Sequence, residues 1–155
     1  MCLQVFVASD KPLPVVSDES PRPVFQTEPV WAGALPVLRL FTKPHVLALT
    51  AVGGCACGFR YSPDDLDILA EVDVPDEIKN RAQADYEASR ESVRLLKAYL
   101  CRAAHSKAVE VYNCWYGDEA AEPETSRKVT TAHFGGDAFH FIERQLLTVN
   151  PAAED

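Results

Sequence analysis

Short runs of apolar residues, separated by polar and proline-containing segments, fill the first third of the chain and predict β-strands. Residues 3–8 (LQVFVA) form the first run, and residues 24–27 form a brief second one. Two stronger runs lie at 37–41 (VLRLF) and 46–52 (VLALTAV), joined by a linker short enough for an antiparallel hairpin. The run at 46–52 is apolar on both faces as far as Thr50, so we place this strand inside a sheet.

In the middle of the chain the apolar period changes to three or four residues. Between about 75 and 104 this spacing predicts one long amphipathic helix whose apolar stripe faces a sheet. The stripe consists of Ile78, Ala82, Tyr86, Ser89, Val93, Leu96, Leu100 and Ala103. A shorter helix is predicted at about 63–72, because Ser62 can cap it and Pro63 suits the first helical position.

The last third of the chain returns to strand-like patterns. Residues 108–116 alternate β-branched and aromatic residues with polar ones, and residues 138–149 contain at least one closing strand. Residues 117–128 are acidic and contain proline, which is typical of a mobile surface loop. Residues 129–134 show no decisive pattern.

This order of elements, strands then two helices then strands, favours an α+β fold. We expect a mainly antiparallel sheet packed on the long helix (about 75–104), with the short helix (about 63–72) beside it. A length of 155 residues is usual for one domain. We therefore expect a single domain over residues 1–150 and a disordered tail at 151–155.

Composition and charge narrow the classes of partner. The chain carries a formal net charge of −8 and no basic cluster, so neither nucleic acid nor an anionic membrane surface is an expected partner. No apolar run approaches the roughly 18 residues that a bilayer span requires. The first residues lack the basic and apolar regions of a signal peptide, and we expect a cytoplasmic protein.

Five cysteines, at positions 2, 55, 57, 101 and 114, are an odd number. Without a secretory signal they are expected to be free thiols in a reducing compartment rather than a disulfide framework. Cys101 flanks the stripe of the long helix and Cys114 lies in a predicted strand, so we interpret both as packing residues.

The strongest candidate for a functional site is residues 45–61 (HVLALTAVGGCACGFRY), where Cys55 and Cys57 follow an apolar strand. The neighbouring Gly53, Gly54, Gly58 and Arg60 are the predicted ligand-binding residues. Glycine lets a ligand or another chain segment approach closely, and the arginine adds positive charge that favours thiolates. The alternative is a tight turn with both cysteines packed as small apolar groups.

A metal is a second interpretation of the same loop. Cys55 and Cys57 would be its ligands, and zinc is the first candidate for thiolate and imidazole donors. The remaining ligands would come from Cys2, Cys114, His45, His133 or His140. Since no second C-x-x-C or H-x-x-x-H motif completes the set, no cofactor is predicted, and zinc is kept as the alternative.

Catalysis offers further alternatives. Cys2 would become an N-terminal nucleophile after removal of the initiator methionine, with its own α-amine as base, as in a cysteine-dependent hydrolase or transferase. His140, with His133 and an intervening Asp137, could supply a general base.

These patterns leave three functional hypotheses and do not decide whether the protein is an enzyme. The first is a thiol-based ligand, metal or redox site at the Cys55/Cys57 loop. The second is a cysteine-dependent hydrolase or transferase whose catalytic cysteine is Cys2 or one of the loop thiols, Cys55 and Cys57. The third is a non-catalytic module that binds a small molecule or a protein, through the sheet edge or through the acidic loop after Trp115 and Tyr116.

Two short stretches carry a resemblance. The chain begins Met1-Cys2, continues into D-K-P-L-P at residues 10–14, and has G-C-A-C-G-F at residues 54–59. In these features it resembles a group of small uncharacterised bacterial proteins with an N-terminal Met-Cys, a D-K-P-L-P segment and a G-C-x-C-G-F loop. The resemblance implies a bacterial source and carries no implication about mechanism.

Overall fold

The computed structural model describes residues 1–60, 63–136 and 139–152, and it consists of one sheet with two α-helices and several 3₁₀ turns. The strands are β1 (Leu3–Ser9), β2 (Phe25–Pro29), β3 (His45–Ala51), β4 (Val109–Trp115), β5 (Thr125–Thr130) and β6 (Gln145–Asn150). The α-helices are α1 (Pro63–Glu71) and α2 (Asp76–Ala103). Segments Ala32–Leu40, Val52–Gly54, Ala56–Phe59 and Thr131–Phe134 are 3₁₀-helical.

The six strands lie in the order β2-β3-β1-β4-β6-β5. Every neighbouring pair is antiparallel except β5 and β6, which are parallel. The predicted α+β class with a mainly antiparallel sheet is confirmed. β3 lies between β2 and β1, in the interior where its apolar sequence placed it.

Helix α2 covers one face of the sheet and closes the larger core cluster. Its buried residues are Ser89, Ser92, Val93, Leu96, Tyr99 and Leu100. The predicted stripe therefore holds over the second half of the helix. Ile78 at its start is about half exposed, and α1 contributes no buried residue. Among the described residues, neither helix combines the length and the apolar content that a bilayer span requires.

The other face of the sheet packs against the 3₁₀ segment Ala32–Leu40, and here the predicted strand at 37–41 is wrong. Ala34 and Val37 are buried in a second core cluster, and Leu40 packs against it. These positions are three apart, which is the period of a 3₁₀ helix, so the segment buries one side without any ladder hydrogen bonds. Pro36, which has no N–H to donate, lies within the segment.

Two further expectations need correction. Part of the predicted mobile loop at 117–128 is β5, an edge strand with five of its six residues exposed, which pairs with β6 from Thr125 opposite Gln145. An edge strand this polar has no apolar alternation to reveal it. Cys101, interpreted as a packing residue, is exposed, whereas Cys114 is buried as expected.

Some predictions lie outside the described residues. These are the cap at Ser62, the carboxylate of Asp137 and the end of the tail at 153–155.

Candidate functional site

The sheet topology brings the beginning of the chain to the end of β3. In the antiparallel pair of β1 and β3, Val5 lies opposite Leu49, so the start of β1 is adjacent to the loop that follows β3. The N–H of Tyr116 donates to the carbonyl of Cys2 at 2.8 Å and fixes this residue at the start of the central strand. Cys2 is thereby placed beside the loop that carries the other two thiols.

The loop after β3 needs its glycines for two different reasons. Gly53 and Gly54 have φ values of 80° and 72°, a conformation that side-chain-bearing residues avoid. Gly58 instead lacks space, because a Cβ there would lie 2.7 Å from Cγ1 of Val52. Gly58 is buried, and the room left by its missing side chain is taken by the protein itself. The three glycines thus shape the turn that presents Cys55 and Cys57, and a role for them in binding a ligand stays a prediction.

Three thiols converge at this point. The Sγ atoms of Cys2, Cys55 and Cys57 all lie within 4.8 Å of one another, and no other potential metal-ligating group of three was found in the described part of the chain. Cys55 and Cys57 are half-buried and Cys2 is exposed, so the group is open to solvent on one side. We call these residues the three-cysteine cluster.

Hydrogen bonds and charge make the thiols unequal. Burial raises the pKa of Cys57, but several contacts act in the opposite direction and together lower it below its usual value. The N–H of Leu3 donates to its Sγ at 3.2 Å. Hydrogen bonds from Cys55 and Cys2 and the positive charge of Arg60 lower the pKa further. Burial raises the pKa of Cys55 to about 11. Cys57 therefore carries negative charge more easily than Cys55, which keeps its proton.

Arg60 is held close to the cluster by an aromatic contact. Its guanidinium carbon lies 4.5 Å from the centre of the Trp115 ring, in a cation–π arrangement. From there its positive charge favours the thiolate of Cys57. Arg60 was predicted as a ligand-binding residue; the structure gives it an electrostatic contact with the cluster, and its contact with a ligand stays a prediction.

The sulfur positions suit a single metal ion. With zinc–sulfur bonds of about 2.3 Å, tetrahedral geometry separates two sulfur ligands by about 3.8 Å. The 4.8 Å limit on the observed separations is compatible with that value after small side-chain rotations. Three sulfur ligands would leave the fourth tetrahedral position for another donor.

A cavity of about 340 Å³ opens directly beside the cluster. It is lined by Cys2, Leu3, Gln4, Glu28, Trp31, Ala48, Leu49, Thr50, Gly54, Cys55, Ala56 and Tyr116. Thr50 is only 8% exposed, and its hydroxyl has no hydrogen-bond partner among the described residues. The sequence did not predict this cavity. Its one signal was Thr50, a hydroxyl-bearing residue near the end of an otherwise apolar strand.

The other predicted site residues lie elsewhere. His140 and His133 line a separate cavity of about 270 Å³, and His140 also lines one of about 360 Å³ together with Arg60. His45 pairs with Ser9, at the opposite end of β1 from Cys2. Cys114 is buried within β4. None of these four residues joins the three-cysteine cluster, so the catalytic role suggested for His140 stays a prediction unconnected with the thiols.

No protein-family model, curated protein or solved structure matches this chain. The function is therefore argued from the site itself. The protein is an α+β chain in which Cys2, Cys55 and Cys57 are close enough together to bind one metal ion.

Proposed function

We propose that this protein binds a thiophilic metal ion, zinc first, through Cys2, Cys55 and Cys57. The observation that carries the proposal is the mutual proximity of the three Sγ atoms, within 4.8 Å, although one comes from the chain start and two from a loop far along the sequence. Thiolates prefer zinc and copper(I) over magnesium or calcium, which take oxygen ligands.

The unequal pKa values of the cluster explain how binding would depend on pH. A metal ligates the thiolate form, so the proton that Cys55 retains up to a pKa of about 11 must leave when the ion arrives. The thiolate of Cys57 offers the ion its first contact. Affinity should rise as the pH rises through the neutral range, because fewer protons then compete with the ion.

The open side of the cluster favours an exchangeable site over a closed structural one. Structural zinc sites use four protein ligands, whereas catalytic sites use three and leave a position for water or substrate. Here the described residues supply three sulfur ligands, and two of them, Cys2 and Cys55, also line the adjacent cavity. An ion held in this way would be available to a second molecule.

Cobalt(II) titration of the reduced protein, with a phosphine reductant present, tests the proposal. One equivalent should produce sulfur-to-cobalt charge transfer in the near ultraviolet and the intense visible bands of a tetrahedral ion, and zinc should displace it. Cys2→Ser, Cys55→Ser and Cys57→Ser should each weaken binding at least about tenfold.

Cys101→Ser is the matched control, since it makes the same chemical change at an exposed cysteine outside the cluster. It should bind cobalt like the parent protein. Equal binding by the parent and all three cluster variants, or no thiolate charge transfer at any ratio, would overturn the proposal.

A second candidate is a thiol redox site, favoured by an exposed Cys2 with two further thiols within 4.8 Å. The Cys2 thiol would react with a hydroperoxide, breaking the O–O bond to give a sulfenic acid and an alcohol. A neighbouring thiol would then displace water and form a disulfide. A mass loss of two hydrogens in the metal-free parent, absent from Cys2→Ser, tests this step. Unchanged mass after peroxide treatment rules it out.

A further inference from the structure

The cavity beside the three-cysteine cluster lies on the sheet face opposite α2. Ala48 belongs to the second core cluster on that face. Thr50, two residues further along β3, points to the same side, and Glu28 of β2 lies directly opposite Ala48 in the register. Cys2 and Cys55 line the same cavity, so a molecule inside it reaches the position where an ion would be bound.

One buried polar group of the cavity has no partner. The Thr50 hydroxyl is on a side chain that is 8% exposed, and it forms no hydrogen bond with any described residue. Buried hydroxyl groups in native proteins are nearly always paired, because leaving one unpaired is costly. A ligand with a polar group at this depth would satisfy it.

The charge of the cavity selects the sign of that ligand. Among its described lining residues Glu28 is the one carboxylate, and none is a lysine or an arginine. Trp31 and Tyr116 add aromatic faces, which attract cations. Arg60 adds positive charge at the cluster, but it is not among the described residues that line the cavity. Within the cavity an ammonium group is therefore attracted to Glu28.

We propose that the cavity takes a small aminothiol, whose sulfur fills the fourth position of the ion and whose ammonium group is bound by Glu28 and Thr50. This inference rests on the proposed metal site. A thiol that binds an ion already carrying three thiolates loses its proton, and the positive ammonium group offsets part of the added negative charge. A volume of about 340 Å³ is at the lower end of the range for small-molecule sites, which suits a ligand of this size.

The test uses the cobalt-loaded protein and three probes of nearly equal size. Cysteamine has both groups, 2-mercaptoethanol lacks the amine, and ethanolamine lacks the thiol. Cysteamine should perturb the visible cobalt bands and bind at least about tenfold more tightly than either of the others. Native mass spectrometry should show that cobalt stays on the protein, which separates binding in the cavity from removal of the ion by the probe.

Two variants that leave every cysteine in place test whether Glu28 and Thr50 bind the ammonium group of cysteamine. Glu28→Gln should weaken cysteamine about fivefold or more, and Thr50→Val, of similar volume, about tenfold. Neither should change the affinity for 2-mercaptoethanol or for cobalt. Glu71→Gln, an exposed carboxylate on α1 that does not line the cavity, is the matched control and should bind cysteamine like the parent.

The outcomes separate the two proposals. Normal cobalt binding with equal affinity for cysteamine and 2-mercaptoethanol, or with no effect of Glu28→Gln and Thr50→Val, overturns the aminothiol inference and leaves the metal site standing. Failure of the parent protein to bind cobalt overturns both. Preference for cysteamine that both variants reduce supports the inference.

Discussion

Gly58→Ala is the most informative single change in the loop that presents the thiols. The backbone of Gly58 does not need a positive φ, so the cost of the substitution is steric. The added Cβ would lie 2.7 Å from Cγ1 of Val52 and 2.9 Å from both Cβ of Ala51 and the backbone nitrogen of Val52. Ordinary carbon–carbon contacts are about 3.5 to 4.0 Å, so these groups must separate by roughly an ångström.

The neighbours of Gly58 cannot move apart easily. Ala51 is fully buried at the end of β3, and the N–H of Val52 donates to the hydroxyl of Ser92 on α2 at 3.1 Å. Overpacking of this kind costs about 1 to 3 kcal/mol, whereas replacing glycine by alanine recovers about 0.4 to 1 kcal/mol through the unfolded chain. We expect a net loss of about 1 to 2 kcal/mol in the free energy of unfolding.

Urea unfolding of three alanine variants measures this loss and its cause. Gly33→Ala is the control, because its Cβ would meet only Trp31 atoms at 3.5 Å, an ordinary contact, and it should not destabilise. Gly54→Ala meets no atom within 4 Å but has a φ of 72°, so it should lose about 1 to 2 kcal/mol through backbone strain alone. Gly58→Ala should also weaken cobalt binding, since it displaces the adjacent Cys57. If Gly58→Ala unfolds at the same urea concentration as Gly33→Ala, the tight packing of the loop is refuted.

Three more predictions concern the support of the loop by α2 and the burial of two side chains elsewhere in the fold. Ser92→Ala removes the hydroxyl that accepts from the N–H of Val52 and donates to the carbonyl of Val24, just before β2. It should lower the free energy of unfolding in urea by about 1 to 3 kcal/mol, and no loss would show that this pair of hydrogen bonds is not needed. Burial, and to a smaller extent repulsion from a nearby arginine, lowers the pKa of His133. The neutral ring therefore stabilises the fold fully above pH 6.5. This stabilisation is lost as the pH falls, because the unfolded chain takes the proton first. The parent should therefore lose more stability than His133→Gln between pH 7 and pH 5, and equal losses would contradict the burial of this ring. Burial raises the pKa of Cys114 to about 12, so a thiol reagent at pH 8 should label Cys101 in the folded protein and Cys114 only on unfolding, as peptide mass mapping would show; rapid labelling of both would contradict the structure.

The sequence predicts the elements of this fold best where one periodicity persists. The long helix and the interior strand β3 have sustained apolar patterns, and both were found. The segment at 37–41 misled because a short apolar run is compatible with several structures: Ala34, Val37 and Leu40 form one buried side only in the 3₁₀ conformation. β5 has no hydrophobic pattern, and its pairing with β6 depends on backbone hydrogen bonds that residue types do not reveal.

The site was predictable in part for a different reason. The local sequence already contained Cys55, Cys57 and the glycines that turn the loop. Cys2 was one of several alternative third ligands, because nothing local distinguishes it from Cys114 or the histidines. The pairing of β1 with β3 decides between them, and it does so through strand register. The cavity residues, from Cys2 to Tyr116, are spread over most of the chain and become neighbours only in the folded sheet.

The same pairing makes the cluster a consequence of folding. β1 lies between β3 and β4, and the carbonyl of Cys2 is fixed by the N–H of Tyr116 just beyond β4. The three sulfur atoms are therefore close together only when the centre of the sheet has formed. An ion that prefers this arrangement binds the folded chain selectively, and at a hundredfold excess over its dissociation constant it would add about 2.7 kcal/mol to the free energy of unfolding. Since the ion would join the start of the central strand to the loop that leads into the helices, its binding would stabilise the very geometry that creates the site.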